Sequence, residues 1–114
     1  MKKIFILLLS AILYGCSQPM QNHIVTDVTK EQLITLSKSK SNKTINRMKV
    51  HVTGYIDGEA QIYIILNDKP YKTEEISGDV NFKWTGDWYS DIMEIKYKPS
   101  SVNGGKLNLQ YLFE

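Results

Sequence analysis

Catalytic and metal-binding signatures are scarce in this 114-residue chain, which contains one cysteine and two histidines. A single cysteine excludes a disulfide within the chain, so packing alone must stabilise the fold. No nucleophile elbow, phosphate-binding loop or paired-carboxylate motif occurs. His23 and His51 each lack a second ligand at metal spacing, and we expect both to be solvated surface residues. We therefore predict no enzyme activity, no catalytic residues, no metal and no cofactor.

Long hydrophobic runs are also absent, apart from residues 4–14 at the start of the chain. Lys2 and Lys3 precede this run, and only Ser10 interrupts it. Eleven residues span roughly 16 Å as a helix, whereas a bilayer core of about 30 Å needs about 20 residues. The run therefore matches the apolar region of a secretory signal peptide rather than a transmembrane helix.

The segment Leu13-Tyr14-Gly15-Cys16, which follows at once, resembles the lipobox of bacterial lipoproteins. That resemblance implies that residues 1–15 are a signal peptide, cleaved between Gly15 and Cys16. It also implies that the Cys16 thiol carries diacylglycerol, because a thiolate is the nucleophile that takes up the lipid. The alternative is an ordinary secretory peptide that happens to contain a cysteine.

Lipidation would place the protein in the cell envelope, since two or more acyl chains anchor a protein stably to a membrane. Ser17 follows the cysteine, where an aspartate would favour retention in the inner membrane, so the outer membrane facing the periplasm is expected in a Gram-negative host. The mature chain would carry twelve basic and twelve acidic residues. This neutrality gives no indication of nucleic-acid binding, and the predicted partners are the membrane and an envelope protein.

Residues 16–47 read as a lipidated N-terminus followed by a basic, Ser/Lys-rich tether. As a flexible coil, the tether would reach roughly 30 Å. It is either a solvated linker or a segment attracted to anionic headgroups. Two local elements compete within it. The Thr29-Lys30-Glu31-Gln32 capping box predicts a helix over residues 30–39, and residues 24–28 would suit a short edge strand.

Residues 48–114 show apolar residues at every second position, which is typical of half-buried strands. Turn signals separate six such segments; Asp57-Gly58 is the strongest hairpin signal among them. The pattern predicts an all-β domain, a small antiparallel β-sandwich or barrel of about six strands. Its strand endings are similar in style to those of small uncharacterised bacterial lipoproteins with one β-sandwich domain, a resemblance that implies no activity. Those endings are Ile95-Lys96-Tyr97-Lys98-Pro99, Gly105-Lys106-Leu107 and Tyr111-Leu112-Phe113.

Aromatic and acidic residues are concentrated around one turn, and we predict a binding patch there: Trp84, Asp87, Trp88, Tyr89 and Asp91. Exposed aromatic rings would stack on a ligand or partner, and the acids would orient it. In the structural alternative, Trp84 belongs to the core while Trp88 and Tyr89 cover the end of the sandwich. A calcium site at Asp79, Asp87 and Asp91 is a weaker form of the binding hypothesis, because the spacing of these residues matches no calcium-binding loop.

These features favour a non-catalytic binding or accessory module of the envelope, anchored by lipid. A periplasmic inhibitor or immunity protein is the alternative, because residues 50–114 carry a net charge of −4 that would attract a basic hydrolase or toxin. A glycan-active enzyme is a third hypothesis, and it requires a cleft with convergent titratable groups.

Overall fold

The computed structural model describes residues 20–38 and 46–114, so Gly15, Cys16 and the predicted signal peptide lie outside the described residues. The fold is all-β and antiparallel, as the sequence predicts. No helix among the described residues is long and apolar enough to cross a membrane. The strands are β1 (Gln21–Val25), β2 (Gln32–Ser37), β3 (Arg47–Leu66), β4 (Lys69–Asp87) and β5 (Ile92–Phe113).

The strands form one continuous sheet in the order β1-β5-β3-β4, and β2 pairs with β5 as well. β1 occupies the second half of one β5 edge, beginning with the pair Gln21 and Tyr111. β2 occupies the first half of the same edge, beginning with the pair Gln32 and Tyr97. β5, the last element of the chain, therefore lies inside the sheet.

β4 bends sharply, and so does the sheet around it. Lys72 and Gly86 are fourteen positions apart on β4, about 46 Å in a straight strand. A Cβ added at Gly86 would nevertheless lie 3.7 Å from the Lys72 side chain. Register shifts near Ile56 and Glu59 mark the bend. A bulge of this kind inserts an extra residue and kinks a strand.

Folding of the sheet on itself creates two facing layers. Layer one contains β1 together with residues 47–56, 78–87 and 105–113. Layer two contains β2 together with residues 59–66, 69–77 and 92–99. Gln21 of layer one donates a 3.1 Å hydrogen bond to the Ser37 carbonyl of layer two.

The core lies between the layers, and the alternation predicted from residue 48 onward is confirmed. Met48, Val50 and Val52 point inward from layer one, while Met93 and Ile95 point inward from layer two. Described residues contribute no buried polar or charged residue to this core. Its largest fully buried side chains are Tyr97, Leu36, Met48, Ile56, Ile62, Ile64, Met93, Ile95, Leu107 and Leu109.

The number of strands differs from the prediction, because the sequence pattern divided each of the three long strands, β3, β4 and β5, into two segments. Asp57-Gly58 is not a hairpin turn but lies within β3 at the bend. The hairpin that follows β3 turns at Asn67 and Asp68, whose φ angles are 53° and 62°. Positive φ at both central residues is the requirement of a type I′ turn.

The domain also begins earlier than residue 48. β1 and β2 fall within residues that the sequence analysis assigned to the tether. The helix predicted over residues 30–39 is wrong, since Gln32–Ser37 is a strand with Ile34 and Leu36 buried and Leu33 exposed. Period-two burial against β5 outweighs the local capping signal, because isolated short helices are marginal in water. The rival edge strand is present but shifted to Gln21–Val25.

Candidate functional site

Trp84, the first residue of the predicted binding patch, belongs to the core. It is 5% exposed and packs edge-on against Phe82, with ring centroids 5.0 Å apart. It pairs across the sheet with Val50, which is also buried. Its ring face is therefore covered, as the structural alternative expects.

Trp88 closes one end of the sandwich. Its indole N–H donates a 3.0 Å hydrogen bond to the Ile92 carbonyl, and its backbone N–H donates a 3.0 Å bond to the Asn46 carbonyl. The ring is 6% exposed and lies beside Tyr71, at 6.4 Å between centroids. These contacts join the β4–β5 connection to the first residue of β5 and to the residue before β3, so Trp88 has a structural role.

The other members of the patch lie at the surface. Tyr89 is 76% exposed. Asp87 pairs with Arg47 at 4.0 Å and Asp91 with Lys38 at 3.4 Å, and both carboxylates are at least 70% exposed. Exposed pairs of this kind contribute about 0–1 kcal/mol. The accessible part of the predicted patch is thus one tyrosine ring with acids beside it.

Metal ligation by the acids of this region finds no support. Within residues 20–38 and 46–114, no three His, Cys, Asp or Glu side chains are placed to hold a metal ion. His51 lies on the outward side of layer one, where it is partly exposed, and its Nε2 lies 2.7 Å from Asn81 Oδ1. That contact ties two neighbouring strands of layer one together.

A concavity of about 370 Å³ opens where the sheet bends, on the outer side of layer two. We call it the bend cleft. β3 and β4 contribute two polar residues each, and β5 supplies Lys98 and Ser100. The polar lining consists of Glu59, Gln61, Glu75, Ser77, Lys98 and Ser100.

Strand register explains why these side chains meet. Gln61 pairs with Glu75 on one side and with Lys98 on the other, which places an amide between a carboxylate and an ammonium. Register shifts beside Glu59 place the bend at the edge of the cleft. The Ser100 hydroxyl donates a 3.0 Å hydrogen bond to the Glu59 carbonyl and fixes the rim there.

The charged groups of the bend cleft are not committed to each other. Five ion pairs join side chains among the described residues, and none of them includes Glu59, Glu75 or Lys98. Carboxylates accept hydrogen bonds, an ammonium donates them and an amide does both. The cleft can therefore contact a polar ligand that offers both signs of charge.

Sequence reasoning did not identify the bend cleft. Glu59 and Gln61 were recognisable as the polar side of a strand, but Lys98 lies 37 positions further along the chain than Gln61. Period-two patterning assigns side chains to faces without giving the pairing of distant strands. The register of β3 against β5 was the missing information.

Asp27 and Tyr97, which both contact the link between β1 and β2, have shifted pKa values. Hydrogen bonds from Thr29 lower the pKa of Asp27 in the link between β1 and β2. Burial raises the pKa of Tyr97, whose hydroxyl donates to the Val28 carbonyl. Both groups order the link that crosses between the layers, so their perturbation has a structural cause.

Comparison with known proteins gives little information about this domain. No protein-family model matches the chain, and no curated protein matches it. One solved structure to which the chain shows similarity is described as "CBM4 structure and function". It is 9% identical with a TM-score of 0.40, and the alignment covers 74% of this chain and 59% of that one. The chain thus spans about three-fifths of that structure's length, and a likeness this weak supports no conclusion about this domain.

Proposed function

We propose that this chain is a lipid-anchored, non-catalytic binding module of the bacterial cell envelope, which contacts an envelope protein through the bend cleft. One observation carries the proposal. Three charged side chains, Glu59, Glu75 and Lys98, converge on one concavity without an ion-pair partner among the described residues. A concavity with a few convergent polar groups is the usual starting hypothesis for a binding site.

The cleft suits a partner segment that carries a basic and an acidic side chain close together in its sequence. A basic side chain would approach Glu59 and Glu75, and an acidic one would approach Lys98. Because these groups are open to solvent, they would contribute more to the rate and specificity of association than to affinity. The backbone amide groups of such a segment would form hydrogen bonds with the Gln61 side chain, which can both donate and accept them.

Anchoring would hold the domain close to the membrane. β1 begins at Gln21, so only residues 17–20 separate a lipidated Cys16 from the sheet. Four residues reach at most about 14 Å, less than half the reach expected of the longer tether. Met20 lies at the end of the sandwich opposite the bend, so the bend cleft would be accessible to a neighbouring envelope protein. In a Gram-negative host, we propose the outer membrane facing the periplasm.

The inhibitor or immunity alternative is less favoured by the charge of the folded domain. The described residues, which include β1 and β2, carry ten basic and twelve acidic side chains, a net charge of −2. This is half the value expected for residues 50–114 alone. Electrostatic attraction to a basic hydrolase would be correspondingly weaker.

In-cell photocrosslinking of the full-length lipoprotein tests the proposal. A photoreactive residue at Gln61 should capture one envelope protein, and the same residue at Thr53, which faces outward from layer one on the same strand, should not. A Cys16→Ser variant should lose both lipid labelling and capture. Identical products from both positions would refute the bend cleft. A soluble hydrolase or toxin captured without the anchor would instead favour the inhibitor function.

A further inference from the structure

β4 is the edge strand of both layers, and its two halves differ in character. No strand among the described residues pairs with its outer edge. In layer two, this edge carries Pro70, which lacks a backbone donor, and the half-buried charged residues Lys72 and Glu74 on its inward side. Proline and inward-pointing charges are devices that prevent edge-to-edge pairing. The first half of β4 is thus protected against association.

The second half of β4 lacks these devices. Between residues 78 and 86 there is no proline, and the inward side chains are Val80, Phe82 and Trp84. Phe82 packs against the core but is only partly buried, because nothing described covers it at the edge. A strand edge without proline or inward-pointing charge, and with an apolar inner side, can serve as a template for another strand.

We propose that two copies of this chain associate by antiparallel pairing of residues 79–83 of β4, which lie beyond the bend, centred on Asn81. This register places Asp79 opposite Lys83 of the second copy, and it does so twice by symmetry. Opposite charges in directly facing positions stabilise antiparallel pairs. On the inner side, Val80 faces Phe82 of the second copy and covers its exposed part.

Neighbouring registers lack this complementarity. Centring on residue 80 or 82 places Asp79 and Lys83 opposite uncharged residues. Centring on residue 83 places Lys83 opposite itself and Asp79 opposite Asp87, and facing like charges destabilise a pair. Among these registers, the one centred on Asn81 is therefore selected by charge.

The resulting dimer is compatible with membrane anchoring of both copies. The two-fold axis of an antiparallel strand pair is normal to the sheet, so both outer faces of layer one point to the same side. Met20 lies over that face, where it lines a small depression of about 160 Å³ with Lys49, His51, Lys83 and Thr85. Both N-termini would therefore leave the dimer on one side, towards one membrane.

Disulfide trapping tests the register in the full-length lipoprotein in host membranes. An Asn81→Cys variant should form a disulfide-linked dimer on mild oxidation, because residue 81 meets itself at the axis. Lys83→Cys should not, since the two thiols would be offset by roughly 13 Å along the strands. Glu75→Cys, on the protected half, should also remain monomeric. The unaltered chain, whose one cysteine is Cys16, shows how much disulfide-linked dimer arises from Cys16 alone.

Charge exchange separates the proposed pairing from chance collision. In the Asn81→Cys background, Lys83→Asp should lower the dimer yield about tenfold, and the added Asp79→Lys change should restore it. All these side chains are exposed, so the fold should tolerate the substitutions. Equal dimer yields at positions 75, 81 and 83, or no restoration by the charge exchange, would overturn the proposal.

Discussion

The hydroxyl of Tyr97 donates a 2.6 Å hydrogen bond to the carbonyl of Val28, 69 positions earlier in the chain. Both residues are buried, Tyr97 completely. The bond fastens the link between β1 and β2 onto layer two. The Val28 carbonyl lies outside the strands, and without this bond it would be buried without a hydrogen-bond donor.

Replacing Tyr97 by phenylalanine should destabilise the domain by about 1–3 kcal/mol, because the Val28 carbonyl then loses its partner. Urea unfolding of the detergent-solubilised protein, followed by tryptophan fluorescence, measures the change. Tyr63→Phe, at an outward-facing position of β3, is the matched control and should have little effect. Equal stabilities of the two variants would show that water replaces the lost donor.

Alkaline pH should destabilise the domain through the same residue. The folded-state pKa of Tyr97 lies above the ordinary value of about 10, because burial disfavours the phenolate. Above pH 10 the unfolded chain releases this proton before the folded chain does, so the free energy of unfolding falls as pH rises. Below pH 10 this contribution is constant. In Tyr97→Phe the alkaline decline should be shallower, as urea unfolding between pH 8 and 11 can show.

Gly58→Ala should destabilise the bend by at least about 2 kcal/mol. Gly58 has a φ of 141°, and an added Cβ would clash with the Ser101 carbonyl oxygen. Gly104→Ala is the control, because nothing lies within 4 Å of the added carbon there. Thermal unfolding of both variants checks the difference, and a Gly58 variant as stable as the Gly104 variant would contradict the bend geometry.

Trp84→Ala and Tyr89→Ala should separate stability from binding within the predicted patch. Removal of the buried Trp84 ring should cost about 3–5 kcal/mol by leaving a cavity. Removal of the exposed Tyr89 ring should leave the unfolding midpoint unchanged within error. Urea unfolding gives the stabilities, and crosslinking yield from Gln61 gives the binding. Loss of capture on Tyr89→Ala would extend the binding surface to the patch.

Fold class could be predicted from the sequence because burial follows residue alternation so closely. Each of the six predicted segments is one half of β3, β4 or β5. The bend at Gly58 and the hairpin at Asn67 use similar residues, since both need positive φ, and local sequence does not say whether a strand continues afterwards. The number of strands was therefore wrong although the inward-facing residues were right.

The start of the domain was misjudged for another physical reason. β1 and β2 are short, and their burial depends on β5 at the far end of the chain, so local patterning carries little signal. The bend cleft was missed in the same way, because Gln61 and Lys98 meet only through strand register. In the predicted patch, Trp84 and Trp88 are buried and therefore have structural roles. Tyr89 is exposed, and a binding role for it stays a prediction.

The position of β5 inside the sheet has a consequence for how the chain folds. Gln21 pairs with Tyr111, ninety positions away, and β3 also needs β5 along most of its length. Distant pairings of this kind slow folding, since a large loop must close before any contact is gained. A chain synthesised or exported from its N-terminus thus keeps β1 and β2 unpaired until β5 emerges. β3 and β4 can pair with each other earlier, so the arrival of β5 is the step that joins β1 and β2 to that hairpin and completes the core.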